Sequence, residues 1–149
     1  SNLQIAVIAY CLMPNHYHLL LRQDGEQQIS LLIQRLFNRY VKAFNREYHR
    51  SGTLLGDRYQ AIHIEQDNYL DQLCRYIHAN PVKAGLVGDA AEWPWSNYPE
   101  WTGDRSGSLV DSELVEALFA NGAEYRQFVL DYLQERETLP KGVRGYLVD

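Results

Sequence analysis

Cysteine is scarce in this 149-residue chain, and long apolar runs are missing. Cys11 and Cys74 are too few for a disulfide framework and form no Cys-x-x-Cys zinc pattern, so we expect two reduced core residues. No apolar run is long enough to cross a bilayer, and no Gly-rich nucleotide-binding loop is present. These absences argue against redox chemistry, a membrane-spanning protein and an ATP-driven reaction.

The chain also lacks an excess of positive charge, because its formal net charge is -5. This balance argues against a generic DNA-binding protein, which usually carries excess lysine and arginine to neutralise phosphates. The charge is uneven, however. Residues 1–60 carry seven Lys/Arg against four Asp/Glu, a net +3, whereas residues 61–149 carry seven against fifteen, a net -8. Any nucleic acid is therefore expected on the first part. The start, Ser1-Asn2-Leu3, lacks the basic and apolar layout of a secretory signal, which predicts a cytoplasmic protein.

The pattern of apolar residues predicts a mixture of strands and helices. The predicted elements are a hairpin of residues 5–13 and 16–22, a helix over 29–48, a strand over 58–65 in the hairpin's sheet, a helix starting at Asp67 or Asn68 and running to about 79, and two short helices over 111–120 and 123–135. Pro81 is expected to mark the end of the helix before it, which places Asn80 at a helix terminus. Residues 93–101 are rich in aromatics and predict a latch against the core.

The helix over 29–48 has two different faces. Apolar residues form one stripe, and basic residues follow on the opposite side at Arg35, Arg39, Lys42 and Arg46. Such a basic stripe can track a phosphate backbone, or it can be the solvated face of the helix. The pattern alone leaves both interpretations open.

Two histidines flank one tyrosine at the head of the second predicted strand. Because alternate side chains of a strand point the same way, His16 and His18 are expected roughly 7 Å apart on one face, where both rings can reach one cation. On spacing alone, a pair of ordinary strand histidines is the more common case.

One tyrosine and one asparagine stand four residues apart in the predicted helix before Pro81. Tyr76 and Asn80 share one helix face and point at the same region of space, where a nucleophile and a metal ligand would fit. A phenol, with a pKa of about 10, needs a nearby cation to act as a nucleophile at neutral pH. The chain has 11 tyrosines, and spacing alone does not select this one.

Four stretches together resemble the IS200-like and REP-associated tyrosine transposases, a branch of the HUH single-strand DNA endonucleases. They are residues 9–20 with His16-Tyr17-His18, residues 52–59, residues 75–87 with the Tyr-Ile-x-x-Asn-Pro segment, and Trp93-Pro94-Trp95-Ser96. The resemblance implies an α+β fold with a ferredoxin-like antiparallel sheet, helices packed on one face, and a small helical C-terminal extension. It predicts a catalytic domain of the HUH type over residues 1–101 and the extension over 102–149.

The family's chains carry another strand and a helix ahead of the position of Leu3. We therefore expect the sheet of this chain to lack one strand unless a neighbouring chain supplies it, which makes a homodimer possible. The segment equivalent to residues 52–59 also departs from the family, since Leu55 and Asp57 stand where an aromatic or glutamine is common.

The resemblance also implies a chemistry. His16, His18 and Asn80 would hold a divalent metal, Mg²⁺ or Mn²⁺, and Tyr76 would attack single-stranded DNA near a palindromic hairpin to form a 5′-phosphotyrosine. Arg35, Arg39, Lys42, Arg46, Arg58, Arg75 and Lys83 are the expected DNA contacts. Two other functions stay open: a domesticated hairpin-DNA-binding protein without cleavage, and a metal-dependent phosphodiester hydrolase that uses activated water.

Overall fold

A β-hairpin followed by helices makes up the part of the chain that the computed structural model describes, which is residues 4–55, 59–65 and 69–134. The hairpin consists of β1 (Ile5–Leu12) and β2 (Tyr17–Gln23), which pair as an antiparallel sheet. The helices are α1 (Ile29–Glu47), α2 (Leu70–Lys83), α3 (Tyr98–Thr102), α4 (Ser112–Leu118) and α5 (Gly122–Leu133), with a 3₁₀ turn at Ala90–Glu92. The fold class is therefore α+β, as predicted.

The described residues fall into two compact units. The first contains residues 4–5, 23–55 and 59–62, including α1. The second contains residues 6–22, 63–65 and 69–134, and thus most of the hairpin together with α2 to α5. The predicted boundary between residues 101 and 102 falls inside this second unit, where α3 and α5 share one core.

The hairpin turns at Pro14-Asn15, as predicted, and is closed by a hydrogen bond from Met13 N to His16 O at 2.8 Å. The other side of β1 is paired by residues 95–97. Leu12 N donates to Trp95 O at 2.8 Å, and Asn97 N donates to Tyr10 O at 3.3 Å. The sequence gives no strand signal at residues 95–97, because this segment is short and includes neither alternation nor a β-branched residue.

The predicted strand over residues 58–65 is wrong for the part that the structure describes, since residues 59–65 form no strand. The alternating pattern is present, but residues 59–63 are all exposed, and only Ile64 of this segment packs against the core. The alternation of apolar and polar residues is therefore not sufficient to predict a strand here. Arg58 itself lies outside the described residues.

Helix α2 runs four residues further than predicted, to Lys83, and includes Pro81 in its last turn. Proline lacks the N–H that would bond one turn back, but near a helix end this loses only one hydrogen bond. Ala84 N still donates to Asn80 O, and Leu86 N donates to Pro81 O, both at 2.9 Å. Asn80 therefore lies within the helix, one turn after Tyr76, rather than at its end. The predicted caps Asp67 and Asn68 lie outside the described residues.

The core of the second unit is built around α2. Its buried residues include Leu73, Cys74 and Ile77, which join α5 and α3 in one apolar cluster. Tyr98 and Trp101 belong to this cluster, and the Trp101 indole N–H donates to Ile8 O at 3.0 Å. These two aromatics confirm the predicted latch, whereas Trp95 is 59% exposed.

The two predicted C-terminal helices are confirmed as α4 and α5. Each begins with a side-chain cap, because Asp111 accepts from Leu114 N at 3.2 Å and Asn121 accepts from Glu124 N at 2.9 Å. Across the described ranges, no helix is both long and apolar enough to span a bilayer.

Cys11 and Cys74 are buried free thiols, as predicted. Burial raises the pKa of the Cys11 thiol to about 12, and it raises the pKa of Cys74 well above its ordinary value. Since the thiolate is the reactive form, we expect labelling of native Cys11 by Ellman's reagent at pH 8 to be roughly 10³-fold slower than in the urea-unfolded chain. Absorbance at 412 nm follows the reaction. Rapid release of two equivalents from the native protein would contradict the burial of these thiols.

Candidate active site

The two histidines of the motif lie at the start of β2. His16 occupies the turn and is exposed, whereas His18 is the second residue of β2 and is 8% exposed. Their ring centroids are 5.1 Å apart with the ring planes at 87°. His16 Nδ1–H donates to Asn15 Oδ1 at 2.7 Å, which orients this ring. The pair is thus close enough to share one cation.

The nucleophile predicted at position 76 lies against this pair. The Tyr76 ring contacts His18 edge-on, with centroids 5.9 Å apart and planes at 79°. Tyr76 is half-buried on α2 and packs against the core through its ring. The structure therefore brings together a strand histidine and a helix tyrosine that are 58 residues apart in the sequence.

Tyr76 and Asn80 open onto the same hollow, of about 240 Å³, which is also lined by Lys83 and Ala84. These residues share one side of α2 because positions three and four apart on an α-helix are neighbours. A tyrosine, an asparagine and a lysine thus line one solvent-accessible space. This space is large enough for a phosphodiester group.

The side chains at this centre can serve as ligands of a divalent metal. Among the residues that the structure describes, no cluster of three or more His, Cys, Asp or Glu could hold a metal ion. A metal at His16 and His18 therefore needs a ligand of another type, and the Asn80 carboxamide oxygen is one. Imidazole nitrogen together with amide oxygen suits Mn²⁺ or Mg²⁺ with open positions for water and phosphate. The donor set fits the predicted metal.

On the core side of Tyr76, α2 is fixed to the hairpin by a buried polar network. His78, on the core side of α2, makes hydrogen bonds through Nε2–H to Asn97 Oδ1 at 2.7 Å and through Nδ1 to the Tyr125 hydroxyl at 2.6 Å. Burial lowers the pKa of His78 to about 4, against a smaller opposite effect of the bond to Asn97, so the ring is neutral near pH 7. This placement makes His78 a structural residue.

Asn97 is the centre of that network and was not predicted. Its Oδ1 also accepts from Tyr10 N at 3.1 Å, and its Nδ2 donates to Ile8 O at 3.0 Å and Leu109 O at 2.9 Å. Asn97 thereby joins β1 to the helix that carries Tyr76. Its place directly after Trp93-Pro94-Trp95-Ser96 is the only signal in the sequence, and it does not reveal the role.

The burial of Arg75 removes this residue from the predicted set of DNA contacts. Its side chain is 1% exposed, lies over the Phe128 ring at 4.1 Å and donates to Phe128 O at 3.3 Å. A buried guanidinium engaged in this way stabilises the packing of α2 on α5 and does not face a phosphate backbone. We therefore leave Arg75 out of the DNA-binding surface.

The other predicted cations are placed as follows. Lys83 is exposed at the hollow, and its Nζ lies 4.4 Å from the centroid of the Tyr132 ring. The basic residues of α1 are exposed within the first unit; they are Arg35, Arg39, Lys42 and Arg46. Arg58 lies outside the described residues.

Comparisons with known proteins agree with this arrangement. The profile of the family described as "Transposase IS200 like" matches residues 1–80, which is more than half of the chain. A Haemophilus influenzae protein named as a candidate REP-associated tyrosine transposase is 27% identical over 101 residues, covering 61% of this chain. The aligned part spans 57% of that relative's length. No solved structure matches the chain.

The matched region contains both histidines of the pair, Tyr76 and Asn80. In the structure His18 contacts both His16 and Tyr76, and Tyr76 lines a hollow together with Asn80. The chain therefore belongs to the IS200-like transposase family.

Proposed function

We propose that this chain is the catalytic part of a transposase that cuts and rejoins single-stranded DNA beside palindromic hairpins, with Tyr76 as the nucleophile. Membership of a transposase family supports an enzyme that acts on DNA. The observation that carries the proposal is the contact of the Tyr76 ring with His18, next to a second imidazole. A phenol placed beside a candidate metal pair is suited to attack a phosphodiester.

The reaction is a transesterification. The Tyr76 hydroxyl loses its proton to solvent, and its oxygen attacks phosphorus. A bond from the tyrosine oxygen to phosphorus forms, the bond from phosphorus to the DNA 3′-oxygen breaks, and that oxygen leaves as a hydroxyl after taking a proton from water. One phosphodiester replaces another, so a second DNA 3′-hydroxyl can reverse the step and join strands without ATP.

His16, His18 and Asn80 are the proposed metal ligands. A bound Mg²⁺ or Mn²⁺ would supply Lewis-acid polarisation of a phosphodiester oxygen. Asn15 orients the His16 ring for this role through its hydrogen bond at 2.7 Å. Pro81, one residue beyond Asn80, restricts the backbone of the last turn and so supports a defined position for the carboxamide.

The DNA contacts that we propose are Lys83 at the hollow, the exposed basic residues of α1, and Arg58. The α1 residues Arg35, Arg39, Lys42 and Arg46 follow one another at spacings of three and four, so a phosphate backbone can follow the helix. Such contacts position DNA without reading its sequence.

The proposal is tested with a hairpin oligonucleotide that carries a single-stranded flank labelled at its 3′ end. After incubation with Mn²⁺, denaturing electrophoresis should show label in an SDS-stable band at the mass of the protein plus the downstream fragment. Cleavage without any protein-linked label would instead indicate hydrolysis by activated water. Binding with neither product would indicate a hairpin-binding protein.

The metal ligands give a further prediction. Because His16 is exposed, His16→Ala should leave the melting temperature nearly unchanged while it weakens Mn²⁺ binding about 10-fold or more, since one of the imidazole ligands is lost. Titration followed by the electron paramagnetic resonance of free Mn²⁺ measures the affinity. His63→Ala removes another exposed histidine and is the matched control. Equal affinities of the two variants would contradict a metal at His16.

A further inference from the structure

We propose that Lys83 binds the phosphate that reacts with Tyr76 and that Tyr132 of α5 holds the Lys83 ammonium in place for this role. The inference rests on the proposed function and extends the catalytic site beyond residue 80, where the family match ends. It assigns α5 a part in the chemistry.

The first support is that the Lys83 ammonium group has a fixed partner. Its Nζ lies 4.4 Å from the centroid of the Tyr132 ring, and Tyr132 is 7% exposed. A cation over an aromatic face is attracted by the negative face of the ring, and the buried ring itself has little freedom to move. The flexible lysine side chain is thereby restricted before any DNA binds, which lowers the entropic cost of a contact with phosphate.

The second support is the place where this ammonium group is held. Lys83 lines the same hollow as Tyr76 and Asn80. At 100° per residue, positions 76, 80 and 83 fall within about 60° of one another around the helix axis, on one face. Helical side chains also lean toward the N-terminus, which directs Lys83 toward the other two residues. A phosphate in the hollow can therefore contact the phenol and the ammonium together.

The third support is that Lys83 is the only charged side chain among the four described residues that line the hollow. The nearby guanidinium of Arg75 is buried, over the Phe128 ring at 4.1 Å and farther from the Tyr132 ring, at 5.2 Å, than the Lys83 ammonium. A phosphodiester that enters this space needs a cation besides any bound metal, because its negative charge is removed from bulk water. Lys83 is placed to supply it.

The role is electrostatic. As the Tyr76 oxygen approaches phosphorus, the Lys83 ammonium donates hydrogen bonds to a non-bridging phosphate oxygen, while no bond to lysine forms and no proton leaves it. Lys83 thus touches the reacting group, whereas Tyr132 acts through Lys83 and is a positioning residue.

The first test compares rates of covalent adduct formation in a single turnover with the 3′-labelled hairpin oligonucleotide. Lys83→Ala should slow the reaction by about 100-fold, as expected for the loss of one preorganised donor to a developing charge. Lys83→Arg should retain a large part of the rate. Arg50→Ala removes an equal charge from an exposed residue of the first unit and should change the rate by less than about 3-fold.

A double-mutant cycle tests the positioning role of Tyr132. Tyr132→Phe keeps the ring and should behave like the wild type, whereas Tyr132→Leu should slow adduct formation by about 10-fold. In the Lys83→Ala background, Tyr132→Leu should have no further effect on the rate. An equal loss in both backgrounds, in step with the melting temperature, would mean that Tyr132 only packs the core and would overturn its proposed role.

A second measurement does not depend on cleavage. In the Tyr76→Phe variant, bound single-stranded hairpin DNA should protect Lys83 from acetylation, as read by mass spectrometry of the Lys83 peptide. Unchanged acetylation of Lys83 with saturating DNA would refute the phosphate contact. If protection is seen but the wild type forms no adduct, the proposed reaction fails while the contact between Lys83 and DNA holds.

Discussion

Tyr76→Phe is expected to abolish the covalent adduct and leave DNA binding intact. The substitution removes one oxygen and keeps the ring that contacts His18 and the core, so the fold and the two histidines of the proposed metal site are preserved. Without a nucleophile at this position, we expect adduct formation to fall by at least about 10³-fold, to below detection. Denaturing electrophoresis measures the adduct, and fluorescence anisotropy with the same oligonucleotide measures binding.

Tyr69→Phe is a suitable control for this result. Tyr69 immediately precedes α2 and also packs against the core, so its substitution removes a hydroxyl near the same helix. Its adduct yield should match that of the wild type. If the Tyr76→Phe protein still formed an SDS-stable conjugate, another residue would be the nucleophile, and peptide mapping of the conjugate would identify it.

Asn97→Ala is expected to cost the largest share of stability among substitutions outside the apolar core. Asn97 is 0% exposed and serves as acceptor for Tyr10 N and His78 Nε2 and as donor to two carbonyl groups. Alanine would leave all four partners without this bond, and His78 Nε2 among them is fully buried, whereas Ile8 O keeps the bond from the Trp101 indole. Each such group costs about 1–3 kcal/mol, and partial relaxation lowers the sum, so we expect a loss of about 3–5 kcal/mol.

Urea unfolding measures this loss as a fall in the free energy of unfolding. The matched control is Asn38→Ala, at an exposed position of α1, which should change stability by no more than about 0.5 kcal/mol. Labelling of Cys11 should also accelerate in Asn97→Ala, because opening of the structure around β1 exposes the thiol. Equal stabilities of the two variants would show that the network contributes little to folding.

The local elements of this protein are encoded by local patterns. The hairpin was predicted from an apolar run and a Pro-Asn turn, and α1, α4 and α5 from helical periodicity and turn residues, because each of these signals lies within a few neighbouring positions. The strand predicted over residues 58–65 is not formed by residues 59–65, the part that the structure describes. An alternating sequence forms a strand only when a neighbouring strand pairs with it and one of its faces is buried.

The candidate site was likewise only partly predictable from the sequence. The resemblance to a known family selected Tyr76 and the histidine pair, and the structure brings His16, His18 and Tyr76 into contact. Its charge and its place next to Tyr76 in the sequence put Arg75 on the predicted DNA surface, although its helix position turns it into the core against Phe128. Asn97 is 19 residues from its partner His78 in the sequence, and Tyr132 is 49 residues from its partner Lys83. Local sequence patterns do not reveal contacts between residues so far apart.

The pairing of residues 95–97 with β1 limits how another polypeptide can join this sheet. An uncovered strand edge offers its N–H and C=O groups to any extended chain, which is a common route to oligomers and aggregates. Here Tyr10 O and Leu12 N already bond to Asn97 N and Trp95 O within the same chain. A second copy that contributes a strand cannot dock at this end of β1 without first displacing the Trp-Pro-Trp segment.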